Sequence, residues 1–316
     1  MARQRSVGEY RAIDLVCFAL MLALFEPVLH FAATRLFPAE PYTVSAVAAL
    51  TAIVMMRWGP WAAIHAVFGG VLACFLAGAG RDRTAIVFDR CAKALDHVGR
   101  PLGTFRSFTL AVTAANVTLR DLTVANDAGD PAQNGQQVAL SVLGDNFLMA
   151  DGGLVSTQDT LFLGPLPPDL IVRYRDLLPE ALRRPEGLSS RFLGCRIAGS
   201  VDFVFGGGSA LFDGCELRSV CDGRRVGYVA APSHALSQTD GFTFRRCRFT
   251  AEPSVPPESV CLARPWRDHG LCRFEDCAYG PHIHPAGFDK WGTTHRNETA
   301  RFYETPGVPG RVDWVN

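Results

Sequence analysis

The sequence predicts an all-β fold, a solenoid of parallel strands over residues 81–316, preceded by an α-helical membrane segment over residues 1–80. Three observations support this prediction. A short apolar motif repeats through the second half of the chain, the tight hairpin signals of an antiparallel sheet are not evident, and the first 80 residues are strongly apolar. Charged residues, Gly and Pro become frequent only after about Gly80, so the two parts are considered separately.

The repeated motif is Phe-x-x-Cys-x-apolar. Each copy lies in a run of alternating polarity that ends in Gly, Asn or Asp, which is typical of a short strand followed by a turn. Copies recur at about 20 to 32 residues, a length that suits one coil of a β-solenoid. Stacked coils would bury the motif positions as continuous ladders, whereas the alternative, an antiparallel sandwich, needs two-residue hairpin turns. The copies are Phe192/Cys195/Ile197, Phe212/Cys215/Leu217, Phe244/Cys247/Phe249 and Phe274/Cys277/Tyr279, with weaker copies at Leu119/Leu122/Val124 and Met149/Gly152/Leu154.

The apolar N-terminal segment predicts membrane helices. The stretch from Ile13 to Phe37 is long enough to cross a bilayer, and a second stretch from Val44 to Gly78 is interrupted by a helix-breaking hinge around Gly59-Pro60. Three spans result, and the arginines before the first span place the following domain outside the cytoplasm. Arg81 and Arg83 oppose that orientation, and two spans would leave the domain inside. A buried helical hairpin is a further alternative.

Composition excludes some functions. The 31 Lys and Arg residues balance 31 Asp and Glu residues, which argues against a strongly basic nucleic-acid-binding protein. The ten cysteines form no CxxC pair, and the four at the repeat position favour buried packing over disulfide bonding. The pair His282 and His284 has no evident third ligand, so no metal is expected.

Two aspartates share one position in the repeat. Asp159 lies five residues after Leu154, and Asp202 lies five residues after Ile197. On neighbouring coils their carboxylates would stack, since adjacent parallel strands are about 4.8 Å apart. One of two such carboxylates retains its proton, which allows one to act as nucleophile or base and the other as general acid. A solvated pair of turn aspartates is the alternative.

The surrounding residues favour chemistry on a saccharide. Gln158 places an amide beside Asp159, and apolar neighbours desolvate Asp202. Arg264-Pro265-Trp266 adds a guanidinium that can hold a carboxylate ionised and an indole ring of the kind that stacks on sugars. The second enzyme hypothesis is a glycosidase or an esterase for another acyl group, since two carboxylates about 5 to 5.5 Å apart also fit retaining glycoside hydrolysis.

Taken in order, these motifs resemble the pectin methylesterase (pectinesterase) family over about residues 84–314. The resemblance implies a right-handed parallel β-helix that hydrolyses methyl esters of galacturonan to carboxylate and methanol without a metal or cofactor. The matching strings are Gly103 to Ser107, Gly135 to Leu140, Gln158 to Leu161, Gly199 to Gly206, Gly241 to Phe244, Leu262 to Trp266, and His282 to Pro285 with Gly287 and Trp291.

The resemblance also implies a role for each site residue. Asp202 matches the nucleophile that attacks the ester carbonyl, and Asp159 matches the acid/base that protonates methanol and then activates water. Three polar residues match the amides that stabilise the tetrahedral intermediate and the cation that orients the nucleophile: Gln136, Gln158 and Arg264. Two aromatic residues are assigned to substrate binding: Trp266 and Phe205.

The chain departs from the family pattern at several places. Ala263 replaces a usual Gly, Phe288 replaces a usual Trp, and about twenty extra residues, including 165–190, separate the aspartates and are expected to alter substrate access. The first coils of the β-helix are expected to be missing. The alternative function is therefore an inactive or carbohydrate-binding β-helix remnant fused to a polytopic membrane protein. The expected partners are pectin and the membrane, and the catalytic domain is expected outside the cytoplasm.

Overall fold

The computed structural model describes residues 13–18, 20–21, 75–176 and 188–315. The chain divides into two compact units, Met1–Ala79 and Gly80–Asn316. In the first unit, the described residues are helical at 13–18 and 20–21 and form strand β1, Phe75–Ala77. Among the residues described, no helix is both long and apolar enough to cross a membrane. Most of the segment predicted to span the membrane lies outside the described residues.

The second unit consists of short strands joined by turns. Its described residues also form the short helices α1 (Pro131–Asn134) and α2 (Pro168–Arg173), and 3-10 turns at Thr104–Arg106 and Arg296–Glu298. The strands are β2 Ala85–Phe88, β3 Leu110–Val112, β4 Thr118–Arg120, β5 Thr123–Asn126, β6 Leu140–Val142, β7 Phe147–Ala150, β8 Gly153–Val155, β9 Leu161–Leu163, β10 Ser189–Leu193, β11 Arg196–Gly199, β12 Val201–Gly206, β13 Ser209–Asp213, β14 Glu216–Ser219, β15 Gly227–Pro232, β16 Phe242–Arg245, β17 Arg248–Ala251, β18 Val260–Ala263, β19 Leu271–Glu275, β20 Ala278–Tyr279 and β21 Arg301–Thr305.

These strands form three parallel sheets, called here the first, second and third sheets. The first contains β4-β7-β10-β13-β16-β19-β21, the second β2-β5-β8-β11-β14-β17-β20, and the third β3-β6-β9-β12-β15-β18. Apart from the final β19–β21 pairing, each strand pairs with the strand three places along the chain. Each coil therefore contributes one strand to each sheet, which is the arrangement of a parallel β-helix. The predicted all-β parallel solenoid is confirmed.

The repeated motif forms the interior ladders. Phe192 pairs with Phe212, Phe212 with Phe244, and Phe244 with Phe274. Their rings stack at centroid distances of 4.8, 4.7 and 4.9 Å, and the four rings are buried. The last positions of the motif pair in the second sheet: Ile197 with Leu217, Leu217 with Phe249, and Phe249 with Tyr279.

The cysteines of the motif also stack, as free thiols. The Sγ of Cys215 donates a hydrogen bond to the carbonyl of Phe192 at 3.2 Å, one coil earlier. Cys247 and Cys277 repeat this bond to the coil before them, each at 3.3 Å. The thiols thus bind backbone carbonyls at the turn. The prediction of buried packing over disulfide bonding is confirmed for Cys195, Cys215 and Cys247, while Cys277 is a free thiol that is only partly buried.

A left-handed residue turns the chain from the first sheet to the second in successive coils. These residues have φ between 51° and 62°, and most are Asp or Gly, which adopt this conformation more readily than other residues. A turn of constant length keeps the register from one coil to the next, so that residues later in each coil meet their counterparts. The turn residues are Asp121, Asp151, Gly194, Gly214, Arg246 and Asp276.

Candidate active site

The register brings the two aspartates together on neighbouring coils. Leu154 pairs with Ile197, and the residues immediately before the two aspartates form a parallel bridge. The backbone N–H of Asp159 donates to the carbonyl of Val201 at 3.0 Å. Asp159 and Asp202 are therefore direct neighbours across adjacent coils, as their shared repeat position predicts.

Both aspartates lie at turns with left-handed backbone. Asp159 has φ 63° and Asp202 has φ 50°, a conformation that Asp and Asn tolerate better than most residues. Each residue is only 8% exposed, so the two carboxyl groups lie largely out of water. Asn is accordingly a less disruptive replacement than Ala at both positions.

Two glycines allow close packing around Asp202. A Cβ at Gly199 would lie 2.2 Å from the Cβ of Phe203, which is too close for two carbon atoms. Gly206 has φ 127°, and a Cβ there would lie 2.0 Å from the carbonyl oxygen of Leu163. The glycines at both ends of the Gly199 to Gly206 string therefore have a steric explanation.

Arg264 distinguishes the two carboxylates. Its Nε donates to Oδ1 of Asp202 at 2.8 Å, and its Nη2 donates to Oδ2 at 2.7 Å, which is the bidentate geometry that stabilises an ionised carboxylate. Burial raises the pKa of Asp202, and this hydrogen bonding opposes the increase. Burial and then the charge of Asp202 raise the pKa of Asp159 well above 3.8. The arrangement favours an ionised Asp202 beside a protonated Asp159.

Two aromatic rings hold the Arg264 guanidinium. Its Cζ lies 3.7 Å from the ring centroid of Tyr228 and 4.1 Å from that of Trp291. Both contacts are cation–π interactions, and a planar guanidinium fits between the two rings better than a flexible ammonium group would. The rings thus restrict the orientation in which Arg264 meets Asp202.

The two glutamines lie on adjacent coils beside the aspartates. The side chain of Gln158 opposes the rise in the pKa of the Asp159 carboxyl. Its Oε1 accepts a hydrogen bond from Nη2 of Arg224 at 2.9 Å. Gln136 is half-buried, and the backbone N–H of the next residue, Gln137, donates to the carbonyl of Gln158 at 3.1 Å. The structure therefore places Gln136 one coil before Gln158.

The two predicted substrate-binding aromatics belong to a cluster associated with the third sheet. Trp266 is half-buried and packs edge-on against Phe205 with centroids 5.8 Å apart, while Phe105 stacks on it at 6.4 Å. Phe205 is only 3% exposed and also contacts Phe162 at 5.1 Å. Trp266 is thus the more accessible ring, and Phe205 mainly supports it.

Helix α2 covers part of this aromatic cluster. Leu166 and Leu170 are 2% and 7% exposed and pack in the same cluster as Phe205. Asp169 on α2 accepts hydrogen bonds from Arg267 at 2.9 and 3.3 Å, and Arg267 directly follows Trp266. The described part of the extra sequence between the aspartates therefore lies next to the predicted sugar contact.

Sequence reasoning did not identify Tyr228 and Arg224 as site residues. Tyr228 pairs with Val201 one coil later, so continuing the register of the aspartates by one coil would have found it. Arg224 lies in the loop between β14 and β15, which has no repeat position, and no sequence signal identified it. Trp291 was part of a matching string without an assigned contact.

Comparison of this chain with known proteins gives matches to pectinesterases. A family model described as Pectinesterase matches residues 45–164 and 188–314. Pectinesterase A of Dickeya chrysanthemi is 33% identical over 224 residues, which are 65% of this chain and 55% of that protein. The pectinesterase of Ralstonia solanacearum is 31% identical over 206 residues, 59% of this chain and 48% of that protein. This chain thus spans about half the length of these relatives.

The solved structure of a pectin methylesterase from Erwinia chrysanthemi matches with a TM-score of 0.62 and 29% identity, covering 75% of each chain. The family match begins at residue 45, upstream of the expected start near Thr84, and so includes part of the segment predicted as membrane helices. It omits residues 165–187, in agreement with the predicted insertion. With the parallel β-helix, the motif order and a match over most of its length, the chain belongs to the pectinesterase family.

Proposed function

We propose that this protein is a pectinesterase that hydrolyses methyl esters of galacturonan to free carboxylate and methanol. The observation that carries the proposal is the unequal environment of two neighbouring buried aspartates. Asp202 has a bidentate arginine partner, whereas burial and the charge of Asp202 raise the pKa of Asp159 well above 3.8. This pairing suits a nucleophile next to a general acid.

In the proposed reaction, a carboxylate oxygen of Asp202 attacks the ester carbonyl carbon. The negative tetrahedral intermediate accepts hydrogen bonds from Gln136 and Gln158, and one such donor is typically worth about 3 to 4 kcal/mol in the transition state. The intermediate collapses to an acyl-enzyme anhydride, and the leaving methoxide takes the proton of Asp159 to become methanol.

The second half of the reaction restores the enzyme. Asp159, now ionised, takes a proton from water, and the resulting hydroxide attacks the anhydride carbonyl. The C–O bond to Asp202 breaks, which regenerates the Asp202 carboxylate, leaves Asp159 protonated and releases the galacturonic acid group. This acid then loses its remaining proton to solvent and becomes the free carboxylate. Arg264 would orient Asp202 in both halves, and Trp266 would contact a sugar ring.

The proposed substrate is a polymer outside the cytoplasm, so we place the catalytic domain there. One solved structure similar to this chain, at 29% identity and a TM-score of 0.62, is a pectin methylesterase in complex with a hexasaccharide. That complex supports an oligosaccharide ligand here. Membrane attachment through residues 1–80 remains an expectation from the sequence.

Methanol release from highly methylated polygalacturonate by the full chain tests the proposal. We expect turnover by the unaltered protein and a loss of roughly 10³-fold or more in Asp202→Asn, because this change removes the nucleophile. Asp159→Asn should give a comparable loss. Thermal unfolding followed by circular dichroism checks that both variants fold. Equal methanol release by the unaltered protein and Asp202→Asn would refute the proposed mechanism.

A carbohydrate-binding protein without turnover is the second candidate. It is favoured by the half-buried indole of Trp266, which can contact a sugar ring whether or not the aspartates turn the ester over. Titration calorimetry with partially methylated oligogalacturonate distinguishes the two functions. Heat of binding without methanol release would support the second candidate and exclude the first.

A further inference from the structure

We propose that Arg224 is a positioning residue that fixes the orientation of the Gln158 side-chain amide, so that its NH2 group faces the reacting carbonyl. This inference rests on the proposed esterase function. It concerns a contact between the loop joining β14 to β15 and a residue one coil before the Asp202 coil.

The contact joins a guanidinium to one end of an amide. Nη2 of Arg224 donates to Oε1 of Gln158 at 2.9 Å. An arginine can only donate hydrogen bonds, so it selects the oxygen end of the amide and leaves the NH2 end to donate on the other side. Turned by 180°, the amide would point its oxygen at the Asp159 carboxyl and at the developing oxyanion. It would then repel the charge that it is proposed to stabilise.

Arg224 is itself held in place. Its Nε donates to Oδ2 of Asp222 at 2.9 Å, and its backbone N–H donates to Oδ1 at 3.0 Å. The Asp222 side chain is 3% exposed and also accepts a hydrogen bond from the hydroxyl of Ser200, two residues before Asp202. A chain of hydrogen bonds therefore connects the nucleophile strand, the loop and Gln158, although the Arg224 side chain is 39% exposed.

The charge of Arg224 provides a second readout. Its positive charge lowers the pKa of both aspartates and so opposes the effect of burial. The other charged groups that act on the pair are Arg264, which lowers both pKa values, and Asp289, which raises that of Asp202. Removal of the Arg224 charge should therefore move the acid limb of the kcat/KM profile to higher pH, since the nucleophile must be ionised.

The next residue is a matched control. Arg225 carries the same charge in the same loop and is exposed. Arg224→Gln and Arg225→Gln thus change the net charge equally, while only the first removes the donor to Gln158. Arg224→Lys keeps the positive charge but lacks the planar guanidinium group. Compared with Arg224→Gln, it should therefore bring the pH profile closer to that of the unaltered protein than it brings kcat.

A double-mutant cycle on methylated polygalacturonate tests the inference. We expect Arg224→Gln to lower kcat by roughly 10- to 100-fold with little change in KM, since misorientation should cost no more than loss of an oxyanion donor. In a Gln158→Ala background the same change should cost less than about threefold, because Arg224 then has no amide to orient. Arg225→Gln should leave kcat within twofold.

If the effects of Arg224→Gln and Gln158→Ala on kcat were additive, the inference would be overturned while the esterase function stayed in place. An equal loss of kcat in Arg225→Gln and Arg224→Gln would have the same meaning. If the unaltered protein releases no methanol, the proposed function fails and the orientation is tested separately. The side-chain ¹⁵NH2 signals of Gln158, identified by their absence in Gln158→Ala, should then shift in Arg224→Gln and not in Arg225→Gln. Unchanged signals in Arg224→Gln would contradict the role of Arg224.

Discussion

At the scale of individual residues, Asp159 and Asp202 occupy the same place in the fold but differ in their charged hydrogen-bond partners. Both have left-handed backbone and are 8% exposed, so neither burial nor conformation distinguishes them. The difference arises from Arg264, which makes both of its short hydrogen bonds to Asp202. One cation therefore decides which carboxylate is favoured as the ionised group.

The aromatic clamp around Arg264 leads to a prediction at this scale. Arg264→Lys keeps the charge but loses the second hydrogen bond and the flat stacking between Tyr228 and Trp291. We expect kcat to fall by roughly 10²-fold. The acid limb of kcat/KM should move to higher pH, because the hydrogen bonds that oppose the raised pKa of Asp202 are weakened.

Arg273→Lys is the matched control for this change. Arg273 also lies over an aromatic ring, that of Tyr303 at 5.2 Å, but Tyr303 belongs to the first sheet and not to the site. Steady-state methanol release across pH measures both variants. An unchanged pH profile in Arg264→Lys would contradict the assigned role of the arginine.

At the scale of elements, the described start of the predicted insertion contains a packed helix, α2. The apolar side chains of α2 fill a cluster with Phe205 and Phe105, and its acidic residue Asp169 pairs with Arg267. The family match stops at residue 164 and resumes at residue 188, so this helix belongs to the part of the chain that the family model does not describe. We therefore expect α2 to affect substrate binding more than catalysis.

Two aliphatic positions on α2, one buried and one exposed, test this expectation. Leu170 is 7% exposed and Val172 is 77% exposed, so Leu170→Ala removes packing while Val172→Ala does not. Loss of a buried leucine costs about 2 to 5 kcal/mol. We expect Leu170→Ala to raise KM for methylated polygalacturonate several-fold, change kcat less than twofold and speed proteolytic cleavage within residues 164–176. Equal KM values for the two variants would show that α2 is irrelevant to binding.

Another element-scale feature concerns two departures from the family pattern. Ala263 and Phe288 form an isolated parallel bridge and are 0% and 3% exposed. Phe288 packs against Phe274 at 5.6 Å. Ala263 adds a methyl group where the family usually has Gly, and Phe288 has a smaller ring than the usual Trp. These two replacements thus lie opposite each other in one packed contact.

At the scale of the whole molecule, coils are also joined by a buried histidine. His234 is 1% exposed, its Nε2 lies 3.1 Å from the carbonyl of Gly208, and its Nδ1 accepts from the backbone N–H of Leu271 at 3.1 Å. A neutral ring satisfies both contacts, whereas a protonated Nδ1 could not accept. Burial lowers the pKa of His234 to about 4.

This histidine should make stability depend on pH. The unfolded chain binds the proton near pH 6.5 and the folded chain only near pH 4, so the free energy of unfolding falls as pH decreases through that window. The loss is on the order of 3 kcal/mol once the pH is below both pKa values. The raised pKa values of Asp159 and Asp202 have the opposite sign and stabilise the fold as pH falls.

Urea unfolding at pH 7, 5 and 4 measures the histidine contribution by difference. His234→Gln should be less stable than the unaltered protein at pH 7 and should lose less stability on acidification. His295→Gln, at an exposed position, is the control and should match the unaltered protein. Parallel pH dependences for His234→Gln and the unaltered protein would rule out His234 as the source.

Much of the fold could be predicted because the repeat encodes it. Motif residues at a fixed position in each coil must stack to be buried, and this requirement set the Phe and Cys ladders and placed Asp159 beside Asp202. The membrane prediction had a weaker basis. Apolar runs alone do not distinguish a buried strand segment from a helix, and the family match from residue 45 overlaps the predicted spans.

The sequence alone determined the parallel solenoid, its register and the adjacency of the two carboxyl groups, since each follows from side chains repeated at constant spacing. The tertiary structure alone decided that Arg224 meets Gln158, that Tyr228 and Trp291 enclose Arg264, and that α2 covers the aromatic cluster. Those contacts come from loops and from residues far apart in the chain. The loops have no repeating length, so only the stacking of the coils determines which side chains the loop residues contact.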